Sequence, residues 1–342
     1  MKELRNSLTV IIILITQWTF AQNDPAPYTL FKDKIVLYND LGYTSAPFSI
    51  HYNFLESIEK LKFKNNYRTV LGFGGSYKWF AMRVAFPLPG NMRSVGRYGN
   101  TVHYDLGVDF TIKKTFCDID LRNYQGYAIK NANQWNDSLN NLHPNDIRKN
   151  TNAISFSANV WYFHDKNFKM TALKGKTGHY NREVKTWYLK NSLSIFGVRN
   201  GTASIVPMEL IDSTNSKTGA NSISSIDFAF IPGYAYVNKI KNWQFSLIGG
   251  IGAAIQLKNY ALNDANRGFL GLAPRYDIKF IGGYTVPKYF VFLVTDFDNK
   301  SIRFTDFIYR QSFYSIKIVG GFRFDTKAQR EENKKSIKKR FL

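Results

Sequence analysis

The sequence is poor in two kinds of residue that often define a fold or a partner. It contains a single cysteine, Cys117, so no intramolecular disulfide can form and the small disulfide-stapled folds of secreted proteins are excluded. Acidic residues are also scarce, because 25 aspartates and glutamates stand against 46 lysines and arginines and give a formal net charge of +21. Such an excess either meets an acidic partner or is solvated on loops and internal polar surfaces.

Long apolar runs are missing except at the start of the chain. "LTVIIILI" (Leu8–Ile15) follows Lys2 and Arg5 and precedes the small residue Ala21. This run is too short to cross a bilayer and predicts a cleaved signal peptide over residues 1–21, with an uncleaved N-terminal anchor as the alternative. No later stretch approaches the roughly 20 consecutive apolar residues of a membrane helix. We therefore expect an exported protein that has no helical anchor.

Motifs for catalysis, metal binding and phosphate binding are absent too. The five histidines show no H-E-x-x-H or H-x-H spacing, and one cysteine cannot build a thiolate site. The stretches "GFGG" and "IGGIG" do not follow a strand and open a helix, so they are not phosphate loops. We expect no catalytic residue, no metal and no cofactor. Export also argues against a nucleic-acid partner, despite the positive charge.

The pattern that dominates the sequence is an alternation of period two. In "YDLGVDFTIK" (Tyr104–Lys113) the even positions are apolar and the odd positions are polar or minimal, which predicts a β-strand with one apolar face. The polar face repeatedly carries Gly, Ser and Asp with isolated Arg or Lys, as a hydrated lumen would, whereas a secreted β-sandwich would turn it to open solvent. The pattern recurs in "FAMRVAF", "FCDIDLR", "AISFSANVWY", "WQFSLIGGIGAAIQL", "RYDIKFIGGY" and "FYSIKIVGGFRF".

Turn lengths complete the fold prediction. Tight turns, one of them at His164 to Asn167, alternate with long connections. The strand count reaches about 12, with 10 or 14 as alternatives, if Lys34 to Lys64 is one strand and Phe168 to Val198 is one upward passage that is interrupted around "GKTGHYN". The predicted fold class is all-β, a single antiparallel up-and-down transmembrane β-barrel. It occupies residues 34–325, between a periplasmic lead-in at 22–33 and a basic periplasmic tail at 326–342.

Charged side chains on the polar face are expected to meet inside the barrel. Because a tight turn joins Tyr104–Lys113 to the next strand, Asp109 should lie near Asp118 or Asp120. Neighbouring cations would keep these carboxylates ionised, which favours a structural network, although paired carboxylates could also serve a membrane-embedded hydrolase. The predicted lumenal network comprises Arg83, Asp105, Asp109, Lys113, Asp118, Asp120, Arg122, Arg275, Asp277, Lys279, Lys317 and Arg323.

Three stretches add a resemblance to this interpretation. They are Leu71–Phe86 with its G-x-x-Y-K-W turn, Tyr104–Ile129 with its R-x-Y-x-G-Y strand end, and Val160–Leu173. Their order and spacing resemble successive hairpins of a bacterial outer-membrane family catalogued as domain of unknown function 4421. The resemblance covers nearly the whole mature chain and implies an outer-membrane barrel. It implies no reaction, because the family has no established activity.

The expected protein is a monomeric outer-membrane barrel of Gram-negative type that is not an enzyme. It would serve as a structural element or as a narrow pore for small solutes. The alternatives are the hydrolase and a secreted β-sandwich adhesin. Expected partners are outer-membrane lipid, lipopolysaccharide and the barrel-insertion machinery. For that machinery we predict an assembly signal in Phe322 and Phe324, which end the last strand and face outward.

Overall fold

Antiparallel strands make up most of the chain in the computed structural model. Two short helices, α1 (Val95–Tyr98) and α2 (Met170–Leu173), and two 3-10 turns, Met208–Leu210 and Ser216–Gly219, lie in the connections. The structure describes residues 26–56, 58–112, 115–130, 147–263, 265–326, 329 and 331. The strands are β1 (Tyr28–Leu30), β2 (Lys34–Ser45), β3 (Phe48–Leu55), β4 (Ile58–Lys64), β5 (Thr69–Tyr77), β6 (Phe80–Pro87), β7 (Val102–Ile112), β8 (Thr115–Lys130), β9 (Ile147–Phe163), β10 (Gly178–Tyr180), β11 (Val184–Asn200), β12 (Ser222–Ile240), β13 (Trp243–Ala261), β14 (Asn266–Thr285), β15 (Tyr289–Arg303) and β16 (Ile308–Asp325).

Twelve of these strands close a ring. Hydrogen-bonded neighbours run from β2 through β5, β6, β7, β8, β9 and β11 to β16, and β16 pairs with β2 from Tyr314↔Ser45 to Asp325↔Lys34. Every pairing in the ring is antiparallel, and closure removes the free edges that an open sheet would expose. The predicted all-β class and the single antiparallel barrel of about 12 strands are therefore confirmed, and a two-sheet sandwich is excluded.

The segment from Lys34 to Lys64, predicted as one strand, is three strands. β2 and β3 run in one direction with a break at Ala46 and Pro47, and β4 returns antiparallel to β3. The reversal after Leu55 escapes a sequence pattern because alternation continues on both of its sides. The strand count survives this error, since β4 leads directly into the next descending strand, β5. The β3–β4 hairpin also bridges β16 and β8 at the end of the barrel that carries the long loops.

The connection between β9 and β11 also differs from its prediction. A tight turn was expected at His164 to Asn167, followed by one upward passage from Phe168 to Val198 that is interrupted around residues 175–181. The chain does turn at residues 164–167, but the upward strand of the ring begins only with β11, and residues 164–183, named the plug segment here, carry α2 and β10. Apolar residues at adjacent positions, Ala172 and Leu173, break the period of two. The predicted periplasmic lead-in contributes β1, which pairs with β10 of the plug segment. The predicted signal peptide and nearly all of the predicted basic tail lie outside the described residues.

Packed apolar side chains fill the lumen towards both of its ends. At the long-loop end, the buried rings of Phe48 and Phe63 stack with centroids 4.3 Å apart, and Leu210 from the loop between β11 and β12 joins the same cluster. At the opposite end, where the short turns lie, Phe168 and Leu173 of the plug segment are buried in a second cluster. These are called the long-loop cluster and the plug cluster.

The outer surface of the ring is apolar along its middle. Alternate residues of each strand point away from the lumen, and many large aliphatic and aromatic ones among them are exposed. Among the described residues, no helix is long and apolar enough to cross a membrane. Examples of the outward residues are Leu37, Leu41, Ile195, Phe228, Leu247, Val291 and Ile318.

Candidate functional site

A charged cavity lies between the two apolar clusters. Its volume is about 190 Å³, and it is lined by eight aspartates and nine lysines or arginines, so the two signs nearly balance. The structure places ten of the twelve predicted network residues around it: Arg83, Asp105, Asp109, Asp118, Asp120, Arg122, Arg275, Asp277, Lys279 and Lys317. Seven further lining residues were not predicted: Asp40, Lys174, Lys176, Lys190, Asp296, Asp298 and Lys300.

Two members of the predicted network are not part of the described cavity. Lys113 lies outside the described residues. Arg323 is buried near the short-turn end, where its guanidinium donates to the backbone carbonyls of Gly175 and Lys176, each at 2.6 Å, and to Thr285 Oγ1 at 3.1 Å. It therefore binds the plug segment rather than a lumenal carboxylate, because the plug carbonyls, unlike strand carbonyls, have no sheet partner.

Arg83 on β6 is the most heavily bonded cation in the cavity. Its Nε and Nη2 donate to the two carboxylate oxygens of Asp40 at 2.6 and 2.7 Å, and its Nη1 donates to Asp105 at 2.8 Å. All three side chains are largely buried. One guanidinium thus links β2, β6 and β7, which lie on the same side of the ring. The sequence pattern did not reveal Asp40, because it shares the inward face of β2 with the apolar residues Val36 and Tyr38.

The carboxylates of the β7–β8 hairpin are brought together as its register predicts. Asp109 is directly opposite Asp118, and Gly107 is opposite Asp120. Asp118 accepts hydrogen bonds from Trp161 Nε1 at 2.5 Å and from the side-chain amide of Asn159 at 2.7 Å. Asp118 is therefore held by neutral donors of β9 and not by the facing Asp109.

The partner of Asp109 comes from the plug segment. Lys174 Nζ lies 2.6 Å from an Asp109 carboxylate oxygen. No strand pattern could have shown this contact, because Lys174 reaches the lumen only when the connection between β9 and β11 folds back into the barrel. The plug segment is also held by Gln244, whose side-chain amide donates to the carbonyls of Ala172 and Leu173 at 3.0 Å.

The other side of the cavity carries more ion pairs. Lys279 lies 2.8 Å from Asp296, and Lys190 lies 3.4 Å from Asp277. Arg275 pairs with Asp227, a fully buried residue on β12. Lys300 Nζ donates to the hydroxyls of Ser155 and Ser157 at 2.8 and 2.6 Å. Most of these contacts join strands that are adjacent or close in the ring, whereas Lys300 on β15 reaches across the lumen to β9.

The chemistry available to this cavity is narrow. Among the described residues no group of three or more His, Cys, Asp or Glu could hold a metal ion. A general acid or base must reach a substrate, whereas these carboxylates are bound by cations, amides and an indole, between two packed apolar clusters. The arrangement is that of a hydrated ionic interior.

The fold is that of a membrane β-barrel in which twelve antiparallel strands form a closed ring. A model of the family described as "Domain of unknown function (DUF4421)" matches residues 24–324, so the chain belongs to this family, as the resemblance of its hairpins indicated. No curated protein matches the chain.

Solved structures similar to this chain are also barrels. The outer membrane protease OmpT of Escherichia coli is 9% identical over 86% of this chain and 98% of its own, with a TM-score of 0.38. The Pseudomonas putida toluene transporter TodX is 9% identical over 86% of this chain and 90% of its own, with a TM-score of 0.28. The attachment protein Ail of Yersinia pestis is 8% identical over 85% and 99% of the two chains, with a TM-score of 0.20. At these values the likeness concerns the fold alone.

Proposed function

We propose that this protein is an outer-membrane barrel that is not an enzyme, acts as a monomer and is closed to solutes in its resting state. The apolar outer face supports insertion into lipid, and closure of the ring between β16 and β2 pairs two strands that would otherwise expose free edges. Outward aromatic residues supply interfacial anchors at the short-turn end, which we place in the periplasm. They include Trp79, Trp187, Trp243, Tyr289 and Phe322. The predicted signal peptide would deliver the chain to that compartment.

The packing of side chains in the lumen is the observation that supports a barrel closed to solutes. A pore needs a continuous water path, but the long-loop cluster and the plug cluster occupy the lumen on the two sides of the charged cavity. A barrel of this size has a bore that side chains readily fill. Of the two roles expected from the sequence, the packing therefore favours the structural role over the open pore.

The hydrolase alternative finds less support. Asp109 and Asp118 are the paired carboxylates that could have done acid–base work, but Lys174 binds the first while Asn159 and Trp161 bind the second. A substrate would also have to pass one of the apolar clusters. The proposal therefore assigns these carboxylates to the ionic interior.

Access of water-soluble reagents to the cavity tests the proposal. Ser192 lines the cavity and is buried, so Ser192→Cys in a Cys117→Ala background reports on access. In proteoliposomes we expect the new thiol to resist a charged maleimide from both sides and the barrel to show no steady conductance. Replacing residues 168–180 with a short Gly-Ser linker should make the thiol reactive from the periplasmic side alone, because the long-loop cluster stays in place.

A control cysteine and a folding check make the result decisive. Met208→Cys, at a residue 81% exposed on the β11–β12 loop, should react equally in both backgrounds. Heat-modifiable migration on a gel shows whether each variant forms a barrel. Fast labelling of Ser192→Cys with the plug segment intact, or steady conductance of the unmodified barrel, would show an open pore and refute the closed state.

A further inference from the structure

One part of the barrel exterior carries cations that form no salt bridge with any acidic side chain that the structure describes. It lies where the β3–β4 hairpin bridges β16 and β8. Their inward residues Ile50, Leu61, Phe63 and Tyr309 are buried in the long-loop cluster, so the alternate residues point outward. The outward residues include five cations that are called the cationic face here: Lys60, Lys62, Lys64, Lys130 and Arg310.

Strand register places these charges next to one another. Lys62 lies directly opposite Lys130 on one side and opposite Ser49 on the other, and Ser49 in turn lies opposite Arg310. Like charges at directly opposite positions of an antiparallel pair destabilise the sheet. Within the described part of the chain, none of the five cations forms a salt bridge, although ten other ion pairs are present. Among the residues that the structure describes, no ion pair therefore compensates this repulsion.

The height of the cationic face on the barrel indicates what it meets. Just below it, three partly buried tyrosines form a group, and two of them, Tyr43 and Tyr314, occupy outward positions of β2 and β16. The rings of Tyr43 and Tyr67 are 5.8 Å apart, and those of Tyr67 and Tyr314 are 6.3 Å apart. The guanidinium of Arg93 lies over the Tyr67 ring at 3.7 Å. Outward tyrosines backed by an arginine are typical of the membrane–water interface, where an aromatic ring borders the headgroups.

Distance along β16 then fixes the level of the cations. Arg310 precedes Tyr314 by four residues, which is about 13 Å along an extended strand, and less along the membrane normal because barrel strands tilt. The cationic face thus stands immediately outside the apolar band, at the depth of the headgroups. It also points sideways towards the lipid rather than upwards into the medium.

We propose that the cationic face binds the phosphate groups of lipopolysaccharide in the outer leaflet. The proposal rests on the outer-membrane location proposed above. Arg310 can hold a phosphate by two parallel hydrogen bonds, and the lysines add point charges that a cluster of phosphates would neutralise. Binding would relieve the repulsion between opposite cations. The bound lipopolysaccharide would thereby stabilise the pairing of the β3–β4 hairpin with β16 and β8.

Thermal unfolding of the purified full-length barrel in a zwitterionic detergent tests the proposal. Bisphosphorylated lipopolysaccharide should raise the Tm of the natural protein, and the dephosphorylated form should not. In the variant Lys60→Gln/Lys62→Gln/Arg310→Gln the apparent affinity should fall at least roughly tenfold, because each charge-assisted hydrogen bond contributes about a tenfold factor or more. The control Lys166→Gln/Lys185→Gln/Lys288→Gln removes the same charge from exposed periplasmic positions and should keep the full shift.

Three results would overturn the proposal. The first is an equal shift with dephosphorylated lipopolysaccharide, and the second is an unchanged shift in the cationic-face variant. The third is an equal shift with soluble polygalacturonate or with inorganic phosphate, which would indicate an acidic polysaccharide or a simple anion as the ligand. A wrong outer-membrane location would appear separately, since cell fractionation would then place the natural protein elsewhere.

Discussion

Single residues in the lumen differ greatly in how much they should stabilise the barrel. Arg83 holds the buried carboxylates of Asp40 and Asp105 at 2.6 to 2.8 Å. Arg83→Met would leave both carboxylates without their closest cation. Removing one member of a buried ion-pair group costs about 3–5 kcal/mol, so we expect a loss of that size in the free energy of unfolding, measured by urea titration in lipid vesicles.

Asp120→Asn is the control for Arg83→Met, because it removes one member of a more exposed ion pair of the same cavity. Its cation partner, Arg122, lies 3.8 Å away, and both side chains are partly exposed to the cavity. Partly solvated pairs contribute about 0–1 kcal/mol, so this variant should unfold close to the natural protein. Equal losses for Arg83→Met and Asp120→Asn would mean that the cavity is uniformly hydrated and that burial does not set the strength of its pairs.

At the scale of elements, the plug segment depends on one side chain of the last strand. Arg323 donates to the carbonyls of Gly175 and Lys176, which have no strand partner. Arg323→Met should therefore increase local opening of the plug segment. Because hydrogen bonds from a charged donor contribute about 1.5–3 kcal/mol each, trypsin should cleave after Lys174 or Lys176 at least roughly tenfold faster in the refolded barrel.

Arg323→Lys is the control for this prediction, since it keeps the charge and one donor. Its cleavage rate should fall between those of the natural protein and Arg323→Met. If all three proteins are cut at the same rate while their barrels remain intact, the plug segment is held by its apolar packing alone. The hydrogen bonds of Arg323 would then not stabilise it.

At the scale of the whole molecule, the end of β16 is predicted to direct assembly. Phe322 and Phe324 are 60% and 43% exposed on the outward face at the short-turn end. Phe322→Ala with Phe324→Ala should leave the protein in the periplasm, because the outward aromatic terminus would be lost. Cell fractionation and heat-modifiable migration measure the outcome. Deleting residues 326–342 should leave insertion unchanged.

The control variant is Ile316→Ala with Ile318→Ala. It distinguishes recognition of the terminal phenylalanines during assembly from a general loss of apolar surface. These two residues lie on the same outward face of β16, but in the middle of the strand, and are 40% and 60% exposed. This variant should insert normally. An equal defect in both double variants would attribute assembly to the lipid-facing surface as a whole and not to the terminal aromatic pair.

Much of this architecture follows from local patterns in the sequence. In the β7–β8 hairpin, the alternation from Tyr104 to Ile112 and the short turn that follows were sufficient to predict two strands, their pairing, and the approach of Asp109 to Asp118. Residues on one strand share a face because the strand period is two, and this holds whatever the distant environment. For the same reason inward positions could be assigned on single strands, and the structure places ten of these residues around the cavity. The strand count was predicted from the alternation of short turns and long connections.

The remaining features depend on contacts between residues far apart in the chain, and only the tertiary structure decided them. The β3–β4 hairpin exists because β16 and β8 accept it at the long-loop end, and the plug segment enters the lumen because Arg323, Gln244 and an apolar pocket hold it there. Each pairing partner lies tens to hundreds of residues away, and no local period records it. The sequence by itself determined which side chains face inward, and three-dimensional closure decided which of them meet and whether the lumen stays open.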